Sequence, residues 1–223
     1  TMVRAAAKNY NDVTVITSPD QYSELINELK KNKGSTSLKF REKMSRLAFS
    51  ETAYYDAVIS NYFNKFNNIN FPKRKILYTN LIENLRYGEN PHQIGAFYSQ
   101  NMKNKLEQLH GKTLSYNNYS DIFAALTISK SLPKNTGTAI VKHGNPCGVS
   151  ALKNNLDSYK SALESDPISA FGGIISCNYK ITQKLALILN KIFLEVIVAD
   201  GFEKKALKIL SLIHISEPTR RHL

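Results

Sequence analysis

Thr138-Ala139-Ile140-Val141-Lys142-His143-Gly144-Asn145-Pro146-Cys147-Gly148 is the stretch that decides the fold class. Its first half is a short apolar, β-branched run and predicts a buried strand over 138–142 that ends at His143. Its second half, Gly144 to Gly148, holds two glycines and a proline and predicts a turn. In open α/β sheets, ligands gather beyond the carboxyl ends of strands. Lys142 and His143 therefore stand where a site is expected. Histidine titrates near neutral pH and is the commonest general base. A lysine beside it can hold a developing oxyanion. The plain alternative is a strand-end pair facing water.

Outward from this stretch, strands and helices alternate. Toward the C-terminus the pattern predicts a helix over 156–164, a strand over 173–177, a helix over 182–190 capped by Thr182, a strand over 195–199 and a helix from 203 to 210. Toward the N-terminus it predicts a helix over 121–132, mixed structure over 106–118, a short strand over 95–99, a loop over 86–93 and strand-like structure over 77–85. This alternation argues for an α/β domain. Residues 64–75 are polar, contain Pro72 and lack a clear period, which marks a linker. Ahead of it, Met2 to Tyr10 reads as a helix, Val13 to Thr17 as a buried strand, and Ser18-Pro19-Asp20 as a helix start that Gly34 stops. A longer helical region covers 38–63, with a possible break at 49–52. One strand among helices looks like the end of an α/β domain.

Composition narrows the function class. The 223 residues are 42% hydrophobic and 22% charged, which is ordinary globular usage. No apolar run reaches the ~20 residues of a membrane span. The N-terminus has no secretory core, so a cytoplasmic setting without membrane contact is expected. Two cysteines thirty positions apart exclude a disulfide-dense scaffold and a four-cysteine zinc site. The net charge of +12 is spread along the chain, with short runs at Lys30-Lys31-Asn32-Lys33 and Lys73-Arg74-Lys75. It fits a solvated basic face or attraction of small anions better than a nucleic-acid surface. Residues 211–223 neither extend the last helix nor read as a new element, and are expected to be a non-native tail. Setting aside its Glu217, Arg220 and Arg221 lowers the net charge by one, to +11.

Three further segments carry chemistry. Arg86-Tyr87-Gly88-Glu89-Asn90-Pro91-His92-Gln93 offers an arginine for bidentate phosphate recognition and a tyrosine that can stack on a flat heterocycle. Asp166 to Gly173 ends in paired glycines that allow close backbone approach, with a plain turn as the alternative. Arg4-Ala5-Ala6-Ala7-Lys8-Asn9 sets two basic residues on a small-residue helix, where a solvated face is the commoner meaning. Pro146-Cys147 is similar to a zinc-deaminase signature, but the second cysteine is replaced by Ser150 and no His-x-Glu precedes it. No zinc is expected. Neither a phosphate-binding Gly-x4-Gly-Lys-Ser/Thr loop nor Gly-x-Gly-x-x-Gly is present.

Taken in order, Leu85 to Gln93, Leu114-Ser115-Tyr116-Asn117-Asn118, Val141 to Val149 and Asp166 to Ile174 resemble the bifunctional AICAR transformylase/IMP cyclohydrolase family of purine biosynthesis. The opening, Arg4-Ala-Ala-Ala-Lys-Asn9 included, looks like the end of its cyclohydrolase domain. The resemblance implies residues 1–63 from a methylglyoxal-synthase-like α/β domain, a linker over 64–76, and residues 77–210 from the first part of a deaminase-like α/β transformylase domain. It implies formyl transfer from 10-formyltetrahydrofolate to the 5-amino group of AICAR, then cyclisation of formyl-AICAR to IMP.

By the same resemblance His143 is the general base, Lys142 stabilises the transition state, and Arg86, Tyr87, Gly172 and Glu195 contact AICAR. Lys8 matches a cyclohydrolase lysine proposed for proton transfer. The family forms homodimers. Its chains are more than twice this length, so the expectation is an internal fragment that is inactive alone. The rivals are a non-catalytic nucleotide- or RNA-binding remnant and a zinc-bearing nucleoside deaminase.

Overall fold

The computed structural model describes residues 1–100, 106–211 and 215–218, the last four by backbone only. It divides into two compact units, Thr1–Tyr78 and Thr79–Leu223.

The first unit is built from α1 (Met2–Lys8), α2 (Tyr22–Lys31) and α3 (Leu38–Phe66), with a 3-10 turn at Pro19–Gln21. Ser18 caps that turn through its side chain, and Gln21 reaches back in a capping box. Ser37 caps α3 by accepting from the Phe40 amide. The helix runs unbroken through 49–52 and extends three residues past Phe63. Arg41 ties this unit together. Its guanidinium donates to the Tyr10 carbonyl at 2.8 Å, the Asn11 carbonyl at 2.7 Å and the Thr36 carbonyl. Ala7, Val15 and Ala48 form the small core, beside a buried Ser45 hydroxyl that donates to the Ala7 carbonyl at 2.6 Å. Val13 to Thr17, expected as a strand, pairs with no strand among the described residues. Its β-branched pattern gives an extended segment, but a strand needs a neighbour to accept its ladder.

The second unit holds a two-stranded antiparallel ribbon, β1 (Asn80–Asn84) with β2 (Ala96–Ser99), and a six-stranded mixed sheet. The sheet comprises β3 (Leu106–His110), β4 (Gly137–Lys142), β5 (Asn145–Ala151), β6 (Ile174–Ile181), β7 (Val196–Phe202) and β8 (Ile215–Pro218), in the order β3-β8-β7-β6-β4-β5. The pairs β6–β7 and β7–β8 are parallel and the rest antiparallel. Helices α4 (Tyr116–Ser131), α5 (Asn155–Ser165), α6 (Pro167–Ala170), α7 (Gln183–Leu189) and α8 (Lys204–Leu210) complete it. The fold class is mixed α/β, as the alternation implied.

Two corrections concern the sheet. Gly144 to Gly148 does not form an extended turn. Only His143 and Gly144 turn, and Asn145 already pairs with Lys142 as β5 begins. Pro146 is tolerated because β5 is an edge strand with a bulge opposite Ile140 and Val141. Within the presumed tail, Ile215–Pro218 forms β8 between β7 and β3. The open edge of a buried parallel strand accepts any extended segment that can complete its ladder. The rest of the tail beyond Ser211 lies outside the described residues.

Successive residues of the central strands enter different cores. Ile140, Ile175 and Ile197 pack with Tyr159, Ala162, Leu185, Leu189, Ala206 and Leu210 on one face. Val141, Ile174, Val196 and Val198 pack with Tyr119, Ile122, Ala125 and Leu126 of α4 on the other. The result is three layers, α5, α7 and α8 on one side and α4 on the other. Gly148 is needed for this packing. A Cβ there would lie 1.8 Å from the Ala162 carbonyl oxygen, so β5 and α5 touch backbone to backbone.

Asn178 of β6 is 8% exposed and joins the α4 end to β4. Its Nδ2 donates to the carbonyls of Ser129, Leu132 and Pro133, in the last turn of α4 and just beyond it. Its Oδ1 accepts from the amides of Thr136 and Gly137.

Two substitutions test this packing. Gly148→Ala is expected to destabilise the second unit by about 3 kcal/mol, because backbone must move to admit the methyl. Asn178→Ala is expected to cost about 3 kcal/mol by orphaning buried backbone groups on both sides. Urea unfolding curves of each variant against the parent check both. The small surface substitution Lys180→Gln, on the exposed position of the same strand, should leave the curve within about 0.5 kcal/mol.

Candidate functional site

Arg86 opens the loop that follows β1. The loop is shaped by its own hydrogen bonds: Gly88 N to the Gln93 carbonyl at 2.8 Å, and Asn90 N to Gln93 Oε1 at 2.8 Å. It is knit to the start of α4. Arg86 N donates to the Leu114 carbonyl and Tyr116 N donates to the Tyr87 carbonyl, both at 3.2 Å. Asn117 Nδ2 donates to the Glu89 carbonyl at 3.0 Å. The Arg86 guanidinium lies over the Tyr87 ring, 4.9 Å from its centroid, with Nη2 donating to the Tyr87 hydroxyl at 3.2 Å. His92, in the same loop, is exposed.

A cavity of about 160 Å³ is lined by Arg86, Lys112, Thr113, Leu114, Asn118, Phe193, Glu195 and Val196. Two of the expected site residues, Arg86 and Glu195, therefore line the same cavity. Asn118 Nδ2 donates to Glu195 Oε2 at 2.8 Å and orients that carboxylate. The cavity thus presents a guanidinium, a carboxylate and an amide beside the Phe193 ring.

The paired glycines connect this cavity to the end of β4. Gly172 has φ +72°, a conformation that favours glycine, and its N–H donates to the Phe193 carbonyl at 2.9 Å. Glu195 N donates to the Gly173 carbonyl at 3.0 Å. On the other side, Lys142 Nζ donates to the Phe171 carbonyl at 2.7 Å. A Cβ on Gly172 would stand 3.8 Å from both Lys142 Nζ and the Phe193 ring. Lys142, Gly172, Phe193 and Glu195 therefore form one continuous row across the strand ends. The α6 turn ahead of it is held by Asp166, whose carboxylate accepts from Ser169 N at 3.0 Å; hydrogen bonding from the Ser169 side chain, and then from its amide, holds this carboxyl below its ordinary pKa.

His143 is exposed at the tip of the β4–β5 hairpin with φ +53°, and Gly144 follows at +74°. Both amides of this turn are held by one carboxylate. Asp121 Oδ2 accepts from His143 N at 3.1 Å and Oδ1 from Gly144 N at 2.6 Å. Asn145 Nδ2 donates to the His143 carbonyl at 3.0 Å. Burial, and then the Asp166 carboxylate, push the nearby Cys147 thiol above its ordinary pKa, while Lys142 opposes them. Among the described residues no group of three or more His, Cys, Asp or Glu is placed to hold a metal ion. Lys8 belongs to the first unit, in the exposed last turn of α1.

Two residues with evident positions were not picked out from the sequence. Asn118 and Asp121 are three apart on α4 and so share a face, one meeting Glu195 and the other the His143 turn. The signal was obscured because the helix was expected to start at Asp121. It starts at Tyr116, with Ser115 accepting from Asn118 N and the Asn118 side chain accepting in return from Ser115 N.

Residues 6–214 match the family model described as AICARFT/IMPCHase bienzyme. The chain is similar to proteins named bifunctional purine biosynthesis protein PurH. It is 44% identical over 217 residues to the one from Acetivibrio thermocellus, covering 95% of this chain and 42% of the relative. It is 44% identical over 213 residues to that of Thermoanaerobacter sp., covering 94% and 42%, and 44% identical over 215 residues to that of Bradyrhizobium diazoefficiens, covering 94% and 41%. The chain thus spans about two fifths of the length of these curated relatives. With most of its residues inside the family model and its strand-end motifs gathered at one edge of the sheet, the chain belongs to the AICARFT/IMPCHase bienzyme family.

Proposed function

We propose that the second unit carries part of an AICAR transformylase site, and that the first unit comes from the end of the IMP cyclohydrolase part of the same bienzyme. The observation that carries this is the continuous row Lys142–Gly172–Phe193–Glu195, with Arg86 and Asn118 lining the same cavity as Phe193 and Glu195. The reaction is formyl transfer from 10-formyltetrahydrofolate, acting as co-substrate, to the 5-amino group of AICAR. Formyl-AICAR then closes its ring with loss of water to give IMP, the step to which Lys8 is assigned. A cytoplasmic homodimer is the matching assembly. The rival, a non-catalytic nucleotide- or RNA-binding remnant, is disfavoured by relatives named as biosynthesis proteins.

Each residue has work suited to its chemistry. The amine of AICAR attacks the formyl carbon, and a C–N bond forms as the carbonyl electrons move onto oxygen. His143 takes a proton from the attacking nitrogen, which would otherwise carry a positive charge. Lys142 has three N–H donors, of which one is used on the Phe171 carbonyl, so the ammonium stays anchored while donating to the oxyanion. Collapse of the tetrahedral intermediate breaks the bond to the folate N10, which leaves with the proton that His143 took up. Arg86 suits the single phosphate of AICAR, and the Tyr87 ring its flat base. Gly172 brings backbone close to the ligand, and Glu195 accepts hydrogen bonds from it.

The reading is tested with residues 6–214 exchanged into the Acetivibrio thermocellus relative and the formylation of AICAR followed. His143→Ala is expected to lower kcat by about 10²–10⁴-fold, the usual contribution of a positioned general base. Arg86→Ala is expected instead to raise KM for AICAR about tenfold or more, through loss of a charge-assisted contact. A His143→Ala rate equal to the parent's would overturn the assignment of the base.

A further inference from the structure

The β4–β5 hairpin turns in two residues, since Lys142 pairs with Asn145. Its type I′ form demands positive φ at both central positions, and Asn-Gly is the pair that adopts it most readily. Here the pair is His143-Gly144, with φ +53° and +74°. Gly144 meets this demand freely, because it has no Cβ to clash. His143 meets it at some cost, because a side chain in the left-handed region is strained, although histidine, like asparagine and aspartate, visits it more often than most residues. Among the described residues, the other positive-φ residues that are not glycine are Lys33, Asn68 and Asn135. Two of those are asparagines, which share that tolerance, and at His143 the turn has further support.

That support is visible. The two central amides of the turn point outward, away from the β4–β5 ladder. Both end on the Asp121 carboxylate, one on each oxygen, at 3.1 and 2.6 Å. Asp121 is fixed in turn by α4, whose Ile122 and Ala125 are fully buried against the sheet. The same helix, one turn earlier, presents Asn118 to Glu195. We propose that Asp121 is a positioning residue: by gripping the amides of His143 and Gly144 it holds His143 in its left-handed conformation and so aims the imidazole at the amine that reacts. This rests on His143 being the base of formyl transfer. Asp121 touches backbone amides only, so its role is carried through His143. One helix face then sets both the cavity carboxylate and the base.

The experiment is a double-mutant cycle, with an NMR control on the 223-residue chain. In the hybrid bienzyme, Asp121→Asn keeps the size of the side chain but offers one amide an N–H in place of an acceptor. It is expected to lower kcat by about a hundredfold, the cost of misplacing a reacting group by about 1 Å, with KM for AICAR changed less than about threefold. In the His143→Ala background the same substitution is expected to do almost nothing, because the group it positions is already gone. In the chain itself, Asp121→Asn should shift the His143 and Gly144 amide resonances and the His143 Cα and Cβ resonances, and leave those of β6 and β7 in place.

An unchanged kcat in Asp121→Asn, or losses that add across the cycle, overturns the proposal. So do unmoved His143 resonances. A His143→Ala enzyme as fast as its parent overturns the assignment of the base instead. Should Asp121→Asn not fold, Asp121→Glu keeps the charge, displaces it by one methylene, and carries the same cycle.

Discussion

Strands β4, β6 and β7 are buried on both faces, and the rest of the second unit follows from that burial. A strand covered on one side only alternates apolar and polar residues. These three are buried along most of their length because α4 closes one face and α5, α7 and α8 the other. Several polar groups inside this sandwich are matched among themselves, although the buried Tyr159 hydroxyl has no hydrogen-bond partner among the described residues. Ser129 and Ser176 share a hydrogen bond at 2.8 Å, and Thr138, Ser158 and Tyr179 form a small network. Such pairing matters because an unsatisfied buried polar group costs about as much as a large share of a domain's stability.

With the sheet held this rigidly, its strand ends become fixed points. β4 delivers Lys142, the glycine pair delivers the start of β6, and Glu195 immediately precedes β7. Three neighbouring strands therefore present their ends to one edge, and α4 crosses behind them with Asn118 and Asp121. The loop bearing Arg86 and Tyr87 is added to this edge through backbone bonds to Leu114 and Tyr116. Short-range chemistry needs groups placed to within a fraction of an ångström, and a buried sheet supplies such placement better than loops alone.

Much of this was legible in the residues, for reasons that can be named. β6 and β7 announce themselves as apolar, β-branched runs, and Thr182 and Ser18 as caps. The strand-end position of Lys142 and His143 follows from the run that precedes them. Elsewhere the local signal pointed the wrong way. Gly144 to Gly148 carries turn residues, yet an edge strand tolerates a proline and a close-packed glycine, so β5 was hidden. Val13 to Thr17 has strand composition without a strand beside it. The start of α4 was missed because Tyr116, Asn117 and Asn118 are poor helix formers that a cap compensates. Asp121 could not be read at all, because its partners lie 22 and 23 residues away and are backbone amides, which every residue but proline carries.

The bulged, proline-bearing strand β5 has a consequence for how copies of the chain meet one another. It is the terminal strand of the six, so its outer row of backbone groups has no ladder partner within the sheet. A long flat strand in that place would template the addition of a strand from a neighbouring molecule. Pro146 interrupts the donor row, and the register shift between Ile140 and Val141 increases the local twist. The same irregular stretch that makes the hairpin hard to recognise thus blunts the sheet against growth from molecule to molecule.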